Sequence, residues 1–349
     1  MFIYGNKIEF EKSDAHFIKK FGIEDAGNIV HEYNKTHNTP FVFDTYQLSK
    51  LLSTTNKKIF LLTKNIGSCY KKIIIKKKNG KDRILYSPNA ALKSIQKAIN
   101  ARILKKIPIS KYATAYKNGA TLYGNAAPHV GKKYLLKMDI TDFFGSISFL
   151  QVYSSVFNTD YYPKQIGAIL TTLCCKDDSL PQGAPTSPAL SNIVMKWFDD
   201  KLGSFCEKKE IAYTLYCDDL TFSSDLPLVS VYYKATDMLS RMGFTVNHKK
   251  TRFITNSIRQ SVTGLTVNEK VAVSKGYKRD LRQEVYYALK FGFDNIVPSN
   301  SEDAVGNTVA QHLNRLLGKV NYVLQVEPEN AWFLKARKEL LHEKIRRNA

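Results

Sequence analysis

The hydrophobic and polar positions between residues 133 and 255 alternate between strand-like and helix-like patterns. Strands are predicted, in chain order, in KKYLLKMDI, AYTLYC, LTFSS and FTV…TRFIT, where apolar, aromatic and β-branched residues are concentrated. Helices are predicted in SPALSNIVMKWFDDKLGSF, which begins at Ser187-Pro188, and in SVYYKATDMLSRMG, which ends at Gly243. The order strand–helix–strand–strand–helix–strand is that of a ferredoxin-like unit, an antiparallel sheet with helices on one face.

The regions on either side of this unit have different patterns. Before it, KKNGKDRILYSP predicts a hairpin that turns at Asn79-Gly80, and an amphipathic helix follows from Asn89 to Leu104. After it, VTGLTVNEKVAVSK predicts a hairpin that turns at 268–270. Helical segments are then predicted near 276–292, 305–324 and 330–346. The whole chain is therefore expected to be α+β, with a helical C-terminal part.

Two adjacent carboxylates, Asp218 and Asp219, interrupt the predicted hairpin. Burying them without a compensating charge would cost several kcal/mol. A third carboxylate, Asp139, ends the first strand, which lies beside this hairpin in a ferredoxin-like unit. Converging carboxylates with no Lys or Arg nearby suit a pair of hard divalent cations, which promote in-line displacement at phosphorus. A lone Asp-Asp pair would be better explained as an exposed turn, but the apolar flanks and Asp139 favour a metal site.

The charge of the chain indicates a polyanionic partner. Its 349 residues include 52 Lys and Arg against 31 Asp and Glu, a formal net charge of +21, together with 20 Tyr and 19 Phe. Cations neutralise phosphates and aromatic faces stack on bases, so a nucleic acid is favoured over a merely basic surface. The hairpin at 71–83 carries seven bases and one acid, which favours phosphate contact over a charged edge that only prevents aggregation.

Several classes of protein are excluded by what the pattern lacks. The five cysteines form no CxxC pair and no Cys/His cluster at zinc spacing, so neither a disulfide framework nor a zinc site is expected. The first residues have no signal-peptide pattern, and no stretch reaches transmembrane length. We therefore expect a reduced, cytoplasmic protein with no membrane partner.

Four stretches resemble the motifs of reverse transcriptases and occur in the same order. They are DITDFF, LPQGAPTSPALSN, YCDD and GFTVNHKKT, the last with its Asn-x-x-Lys-Thr ending at Asn247, Lys250 and Thr251. Two shorter stretches resemble the signatures of retron reverse transcriptases: NAAPHV, with Asn125 and His129, and VTG at 262–264. The chain thus resembles bacterial retron reverse transcriptases over roughly residues 45 to 320.

The resemblance implies a right-hand polymerase fold with fingers, a ferredoxin-like (RRM-like) antiparallel palm and a helical thumb. It divides the chain into an N-terminal extension at 1–45, fingers at 46–132 with part of 150–185, and a palm at 133–260. A palm–thumb hairpin and a helical, RNA-binding thumb would follow at 261–349.

The resemblance also implies roles for individual residues. Asp139, Asp218 and Asp219 would be the catalytic carboxylates and would hold two Mg²⁺ ions, or Mn²⁺ as a substitute, with the backbone carbonyl of Ile140. Phe144 would block a ribose 2′-OH, while one ring of the Phe143-Phe144 pair packs in the core. The nucleotide-binding residues would be Arg83, Asp142, Phe143, Phe144, Gln182, Gly183 and Lys250, with Lys250 donating a proton to pyrophosphate.

For RNA binding, the resemblance and the basic thumb together indicate two groups. The first group is the pair of signatures, with Asn125, His129, Val262, Thr263 and Gly264. The second lies on the predicted thumb helices, where Tyr277, Lys278, Arg279, Arg282 and the helix at 330–347 would grip an RNA stem-loop. A solvated charged helix is the alternative for any single thumb residue.

The function implied is that of an RNA-directed DNA polymerase. Retron enzymes bind a structured noncoding RNA (msr-msd), prime from the 2′-OH of an internal guanosine and use dNTPs to make branched msDNA. Host RNase H would trim the template, and an antiphage defence role would require a separate effector protein. The alternatives are another bacterial reverse transcriptase of the group II intron kind, or a noncatalytic scaffold that holds RNA or an effector. The three intact carboxylates favour a polymerase over a scaffold.

Overall fold

The computed structural model describes residues 2–4, 7–9, 40–76, 80, 82–158, 162–293 and 309–348. Asn79 of the predicted fingers turn, residues 305–308 of a predicted helix and most of the predicted N-terminal extension lie outside these ranges. Gly80, which is described, has the positive φ of +77° that the predicted turn requires.

The described part of the chain contains short strands and longer helices. The strands are β1 (Phe2–Tyr4), β2 (Lys7–Glu9), β3 (Tyr70–Lys76), β4 (Asp82–Pro88), β5 (Tyr134–Asp139), β6 (Ala212–Tyr216), β7 (Asp219–Ser224), β8 (Arg252–Thr255), β9 (Ser261–Val262) and β10 (Leu265–Thr266). The helices are α1 (Thr45–Leu51), α2 (Asn56–Lys64), α3 (Ala90–Arg102), α4 (Leu122–Ala126), α5 (Phe143–Ser146), α6 (Phe149–Val156), α7 (Lys164–Cys174), α8 (Ser187–Glu207), α9 (Val229–Arg241), α10 (Lys275–Phe291), α11 (Val309–Val326) and α12 (Ala331–Asn348).

The central sheet has the strand order β6-β7-β5-β8, and every neighbouring pair is antiparallel. This is the strand order of the ferredoxin-like unit predicted from the sequence, with β5 beside the β6–β7 hairpin. Side chains alternate between the two faces of a strand. Leu136 and Met138 of β5 therefore join the main core with α8 and α9, while Leu135 joins the core of the C-terminal part.

The N-terminal part packs on the same main core. The β3–β4 hairpin pairs over its whole length, from Tyr70 opposite Pro88 to Lys76 opposite Asp82. Helix α3 follows directly, because the Asn89 side chain accepts a hydrogen bond from the Leu92 N–H and caps the first turn. Buried side chains of α1, α2, α3 and α7 join the core that α8 continues into the palm. The α+β, fingers–palm–thumb architecture predicted from the sequence is thus confirmed.

The C-terminal part has a core of its own, formed by the β9–β10 hairpin and helices α10, α11 and α12. The chain reverses first at Thr263-Gly264, between the paired residues Val262 and Leu265. The reversal predicted at 268–270 is the second of two, enclosed by the bridge between Thr266 and Ala272. None of the helices in the described ranges combines the length and apolar character that crossing a bilayer requires.

Candidate active site

The three carboxylates predicted to converge do so at one end of the central sheet. Asp139, the last residue of β5, lies directly opposite Asp219, the first residue of β7. Asp218 occupies the two-residue turn between β6 and β7, and its carbonyl accepts a hydrogen bond from the Ile140 N–H at 3.1 Å. The other turn residue, Cys217, has a φ of +59°, a conformation that few residues besides glycine adopt. The pairing register of β5 and β7 therefore places Asp139 next to Asp219 and the adjoining Asp218.

The loop after α9 completes the site on the other side of β5. The Asn247 N–H donates to the Asp139 carbonyl at 2.7 Å, and the Asn247 side chain lies 3.3 Å from Asp139 Oδ2. Lys250 Nζ lies 2.5 Å from Asp139 Oδ1. The expectation that no base would stand near the carboxylates is therefore wrong for Asp139, because the loop that returns to β8 brings Lys250 over it.

The electrostatics of the site reflect this arrangement. Burial raises the pKa of Asp218 and of Asp219, and repulsion from the neighbouring carboxylates raises both further. The hydrogen bond to Asp139 raises the pKa of Lys250. Lys250 pairs directly with Asp139. Other interactions with cations oppose the rise in pKa without cancelling it: Lys250 and Arg83 act on Asp218, and Lys137 and Lys250 act on Asp219.

The donor set fits a hard divalent cation. It consists of carboxylate oxygens at the end of a sheet, with the Ile140 backbone next in the chain, and such oxygen ligands suit Mg²⁺. Within the described ranges, no three His, Cys, Asp or Glu side chains already stand in a metal-binding geometry. The ion pair between Asp139 and Lys250 is consistent with the absence of such a cluster, because one Asp139 oxygen is directed at the Lys250 ammonium.

The two phenylalanines after β5 have different surroundings. Phe143 is buried in the main core, with its ring centroid 6.1 Å from that of Phe244, whereas Phe144 is only partly buried. Asp142 precedes them with a φ of +44°, and its carboxylate lies over Gly145, where a Cβ would stand 2.3 Å from Oδ2. The expectation that one ring packs in the core agrees with this: Phe143 is inside the core, and Phe144 packs against its edge and stays partly exposed.

The Gln182-Gly183 loop connects the predicted nucleotide pocket to β4. The Tyr86 N–H donates to the Gln182 carbonyl at 2.8 Å, and a Cβ on Gly183 would stand 2.8 Å from the Tyr86 carbonyl oxygen. Gly183 has a φ of +125°, so a side chain is excluded both by space and by conformation. Arg83 also lies on β4. Its positive charge lowers the pKa of Asp218, which opposes the larger increase caused by burial.

Sequence reasoning missed Tyr116. Its φ is +57°, and its ring centroid lies 6.5 Å from that of Phe144. Burial, together with the adjacent Cys217 thiol, raises the pKa of the Tyr116 phenol. The segment reaches the site because Ala113 forms a parallel bridge with Leu215 of β6. No local pattern in ATAYKNG indicates this pairing, so only the fold places Tyr116 beside Phe144.

Comparison with known proteins identifies the family. A family model described as "Reverse transcriptase (RNA-dependent DNA polymerase)" matches residues 75–278. This chain belongs to the reverse transcriptase family. The four motifs that predicted this family all lie within the matched region.

The relatives of this reverse transcriptase include several from retrons. It is 32% identical over 291 residues to the retron Mx65 reverse transcriptase of Myxococcus xanthus, covering 77% of this chain and 64% of that relative. It is 29% identical over 255 residues to the retron Ec86 reverse transcriptase of Escherichia coli, covering 71% of this chain and 79% of that relative. The predicted likeness to retron enzymes is thus confirmed, although the chain spans less than two thirds of the Mx65 relative's length.

A solved structure also aligns with this reverse transcriptase. It is the foamy viral protease-reverse transcriptase in complex with double-stranded DNA, with a TM-score of 0.40 and 16% sequence identity. The alignment covers 75% of this chain and 38% of that chain.

The two retron-like signatures of this reverse transcriptase meet in space. Asn125, in α4, is fully buried, and its Nδ2 donates to the Thr263 hydroxyl at 3.3 Å. The Thr114 hydroxyl donates to Asn125 Oδ1 at 2.6 Å, and the Thr114 backbone N–H donates to the Leu215 carbonyl at 2.8 Å. A continuous set of hydrogen bonds therefore connects the β9–β10 turn to β6, two residues before Cys217. We call Thr263, Asn125, Thr114 and Leu215 the palm–thumb clasp.

The other signature residues are also held inside the protein. His129 is fully buried between Ser223 of β7, 2.8 Å from Nδ1, and Thr214 of β6, 2.9 Å from Nε2. Burial lowers its pKa to about 3, so the imidazole is neutral. Val262 is buried in the C-terminal core, while Gly264 is exposed in the turn. Direct RNA contact predicted for Asn125, His129 and Val262 does not fit this burial; of this group, only the Thr263-Gly264 turn reaches the surface.

The four thumb residues predicted to bind RNA differ in their exposure. Lys278 is largely buried in an ion pair with Glu327, with Nζ–oxygen distances of 2.7 and 2.9 Å, and Tyr277 packs edge-on against Tyr322. Arg279 and Arg282 are exposed. The two arginines are available to a ligand, while Lys278 and Tyr277 hold α10 against α11.

Proposed function

We propose that this protein is a retron RNA-directed DNA polymerase that copies part of a structured noncoding RNA into DNA. The observation that carries the proposal is the register of the central sheet, which sets Asp139 opposite Asp219 and places Asp218 in the adjoining turn. The raised pKa values of Asp218 and Asp219 support it, because carboxylates that are only structural gain nothing from shared burial.

The proposed mechanism assigns a task to each group around the carboxylates. Asp139, Asp218 and Asp219, with the Ile140 carbonyl, would hold two Mg²⁺ ions, for which Mn²⁺ could substitute. When bound, such cations make the attacking hydroxyl more nucleophilic and neutralise charge on the leaving phosphate. Lys250 would move from Asp139 to the triphosphate and donate a proton to the pyrophosphate that leaves.

The residues around the opening would select and orient the dNTP. Phe144 would exclude a ribose 2′-OH, and Asp142 would approach the triphosphate through its backbone. Gln182 and Gly183 would form the wall of the pocket against β4, from which Arg83 would reach the phosphates. Tyr116 would limit the movement of Phe144.

The partners follow from the retron-like signatures. The chain would bind its noncoding RNA (msr-msd), prime from the 2′-OH of an internal guanosine and produce branched msDNA. Trimming of the template would fall to host RNase H. In an antiphage defence system, the toxic activity would reside in a separate effector protein. The surface that would contact RNA is the exposed basic side of the thumb, including Arg279 and Arg282.

Primer extension by the purified protein tests the polymerase assignment. With an RNA template, a DNA primer, dNTPs and Mg²⁺, Asp218→Asn is expected to reduce DNA synthesis by at least about a hundred-fold, the scale for losing one preorganised electrostatic group. Asp237→Asn is the matched control, because this exposed acid of α9 pairs with Arg241 on the same helix. Equal synthesis by Asp218→Asn and the control would contradict the assignment, and absence of synthesis by all forms with RNA still bound would indicate a scaffold.

A further inference from the structure

An aromatic groove lies between α10 and α12, on the outside of the thumb. Its floor is apolar, formed by the buried side chains of Val285 and Ala336, with Leu289 beside them. Its walls are two aromatic rings, Tyr286 at 52% exposure and Trp332 at 37%. Aromatic faces at this exposure are costly to leave in water and are typical of binding surfaces.

Cations surround these rings. The Arg282 guanidinium lies 5.7 Å from the Trp332 ring centroid, and Lys290 Nζ lies 2.8 Å from the Tyr286 hydroxyl and 5.2 Å from its ring centroid. Lys335 stands at the rim of the groove, with Glu339 as the one acid among the residues that form it. Aromatic faces flanked by Arg and Lys are what unpaired nucleotides require, since bases stack on the rings and phosphates meet the cations.

Both helices that form the groove are positively charged over their whole length. Helix α10 contains five Lys and Arg against two acids, and α12 contains six against two. A protein segment that fills an apolar groove would need acidic side chains to match this rim, whereas an RNA strand brings a phosphate with every base. Charge complementarity therefore favours RNA over protein as the occupant.

We propose that the groove between α10 and α12 binds unpaired bases of an RNA, stacking them on Tyr286 and Trp332 while Arg282, Lys290 and Lys335 meet the flanking phosphates. This inference rests on the proposed function for the identity of the ligand as RNA. It assigns the thumb a task other than holding duplex, because duplex bases are stacked on each other and cannot reach the rings. The site would therefore recognise a loop or a single-stranded segment.

Tryptophan fluorescence gives a direct test, because the chain has 2 Trp residues, Trp197 and Trp332. In a Trp197→Phe background, Trp332 is the one remaining indole, and a base stacked on it quenches its emission. Short single-stranded oligoadenylate RNA is expected to quench this emission, whereas a blunt RNA duplex is not. The titration needs no dNTPs, so quenching can be observed even if the protein synthesises no DNA. Absence of quenching would contradict the proposed groove site without contradicting the polymerase assignment.

Affinity measurements on matched variants complete the test. Tyr286→Ala is expected to weaken binding of oligoadenylate about ten-fold and leave duplex binding unchanged, while Tyr286→Phe, which keeps the ring, binds as the parent does. Tyr233→Ala, at a 67% exposed tyrosine of α9, is the control for loss of a surface aromatic residue. Equal quenching by duplex RNA would overturn the proposal. Unchanged oligoadenylate affinity in Tyr286→Ala would also overturn it, and this result is expected if a protein occupies the groove.

Discussion

Phe143 and Phe144 are adjacent in the chain, yet Phe143 is buried in the core while Phe144 is only partly buried and has its ring near Tyr116. If Phe144 excludes the ribose 2′-OH, Phe144→Val should raise the use of ribonucleotides relative to deoxynucleotides by roughly ten- to two-hundred-fold, the range for altering one steric contact in a pocket. Competition between labelled dNTP and rNTP in primer extension measures the ratio. Phe143→Leu is the matched control and should lower stability with the ratio unchanged; an unchanged ratio in Phe144→Val would remove the residue from its proposed role.

Two buried titratable residues should give opposite pH dependences of stability. The fully buried Asp199 accepts a hydrogen bond from the Tyr213 hydroxyl at 2.6 Å, and burial raises its pKa to about 7. Its contribution is therefore complete below the unfolded pKa of about 4 and is lost as pH rises towards 7. His129, with its pKa lowered to about 3, contributes fully above about 6.5 and loses that contribution as pH falls.

Urea unfolding between about pH 4.5 and 6.5 can separate the two. The stability advantage of the parent over His129→Gln should shrink by about 1.4 kcal/mol for each pH unit of acidification. The advantage over Asp199→Asn, which resembles the protonated acid, should instead shrink as pH rises through the same window. Parallel slopes for the two variants would show that at least one of these groups titrates normally in the fold.

At the residue scale, the chemistry was readable from the sequence but the partners were not. Asp139, Asp218 and Asp219 could be predicted because strand patterns around acids have few explanations. The Lys250 contact could not, since it depends on how the loop after α9 returns to β8. His129 is predicted to bind RNA but is buried, because a histidine that bridges two hydroxyl groups in a core has the same sequence pattern as one that contacts a ligand.

The palm–thumb clasp is the clearest feature at the scale of elements. Thr263 holds a φ of +46°, which is unfavourable for a β-branched residue, and the hydrogen bond from Asn125 to its hydroxyl explains why threonine is present at this turn. The clasp continues through Thr114 to β6, so hydrogen bonds join the β9–β10 turn to the strand that leads into Cys217 and Asp218.

Removing the clasp should destabilise the fold by a measurable amount. Asn125→Ala removes two hydrogen bonds at a fully buried position, to the Thr114 and Thr263 hydroxyls, and is expected to cost about 1–3 kcal/mol in urea unfolding. A double-mutant cycle with Thr263→Val should give a coupling energy of about 0.5–1.5 kcal/mol, while Thr263→Ser, which keeps the hydroxyl, should cost less than Thr263→Val. A coupling energy of zero would mean that the contact between Asn125 and Thr263 contributes nothing.

Element types were predictable where the pattern was long, as in α8 and the β6–β7 hairpin, and less so where it was short. The reversal predicted at 268–270 is present, but the earlier one at Thr263-Gly264 is not predicted, because Thr263 has a positive φ and is held by a hydrogen bond from α4. Tertiary contacts decide such positions, and local propensity does not record them.

The charge of the whole molecule bears on RNA binding through phosphates. The exposed Arg279 should contribute to the salt dependence, so Arg279→Ala is expected to reduce the slope of log affinity against log salt concentration by roughly 0.7 to 0.9. Lys278 differs, since its charge is held by Glu327; Lys278→Ala should leave the slope unchanged and lower stability by about 1.5–3 kcal/mol. The reverse pattern would place Lys278 in the RNA interface and Arg279 outside it.

The family, the fold and the carboxylates could be predicted for the whole molecule because four motifs occur in one order. The sequence of the proposed RNA partner and the identity of the proposed effector could not, because they depend on surface details that no motif encodes. The groove between α10 and α12 illustrates this: Tyr286 and Trp332 lie 46 residues apart and meet only when the thumb helices pack.

Isolation of DNA from cells that express the chain with its native upstream DNA tests the central claim most directly. The expected product is a short DNA joined to RNA by a 2′–5′ branch, sensitive to a debranching enzyme and absent when Asp218→Ala and Asp219→Ala are combined. Unbranched DNA would contradict priming from a 2′-OH while keeping the polymerase. Branched DNA that persists in the double variant would contradict the role of the carboxylates that β5 and β7 bring together.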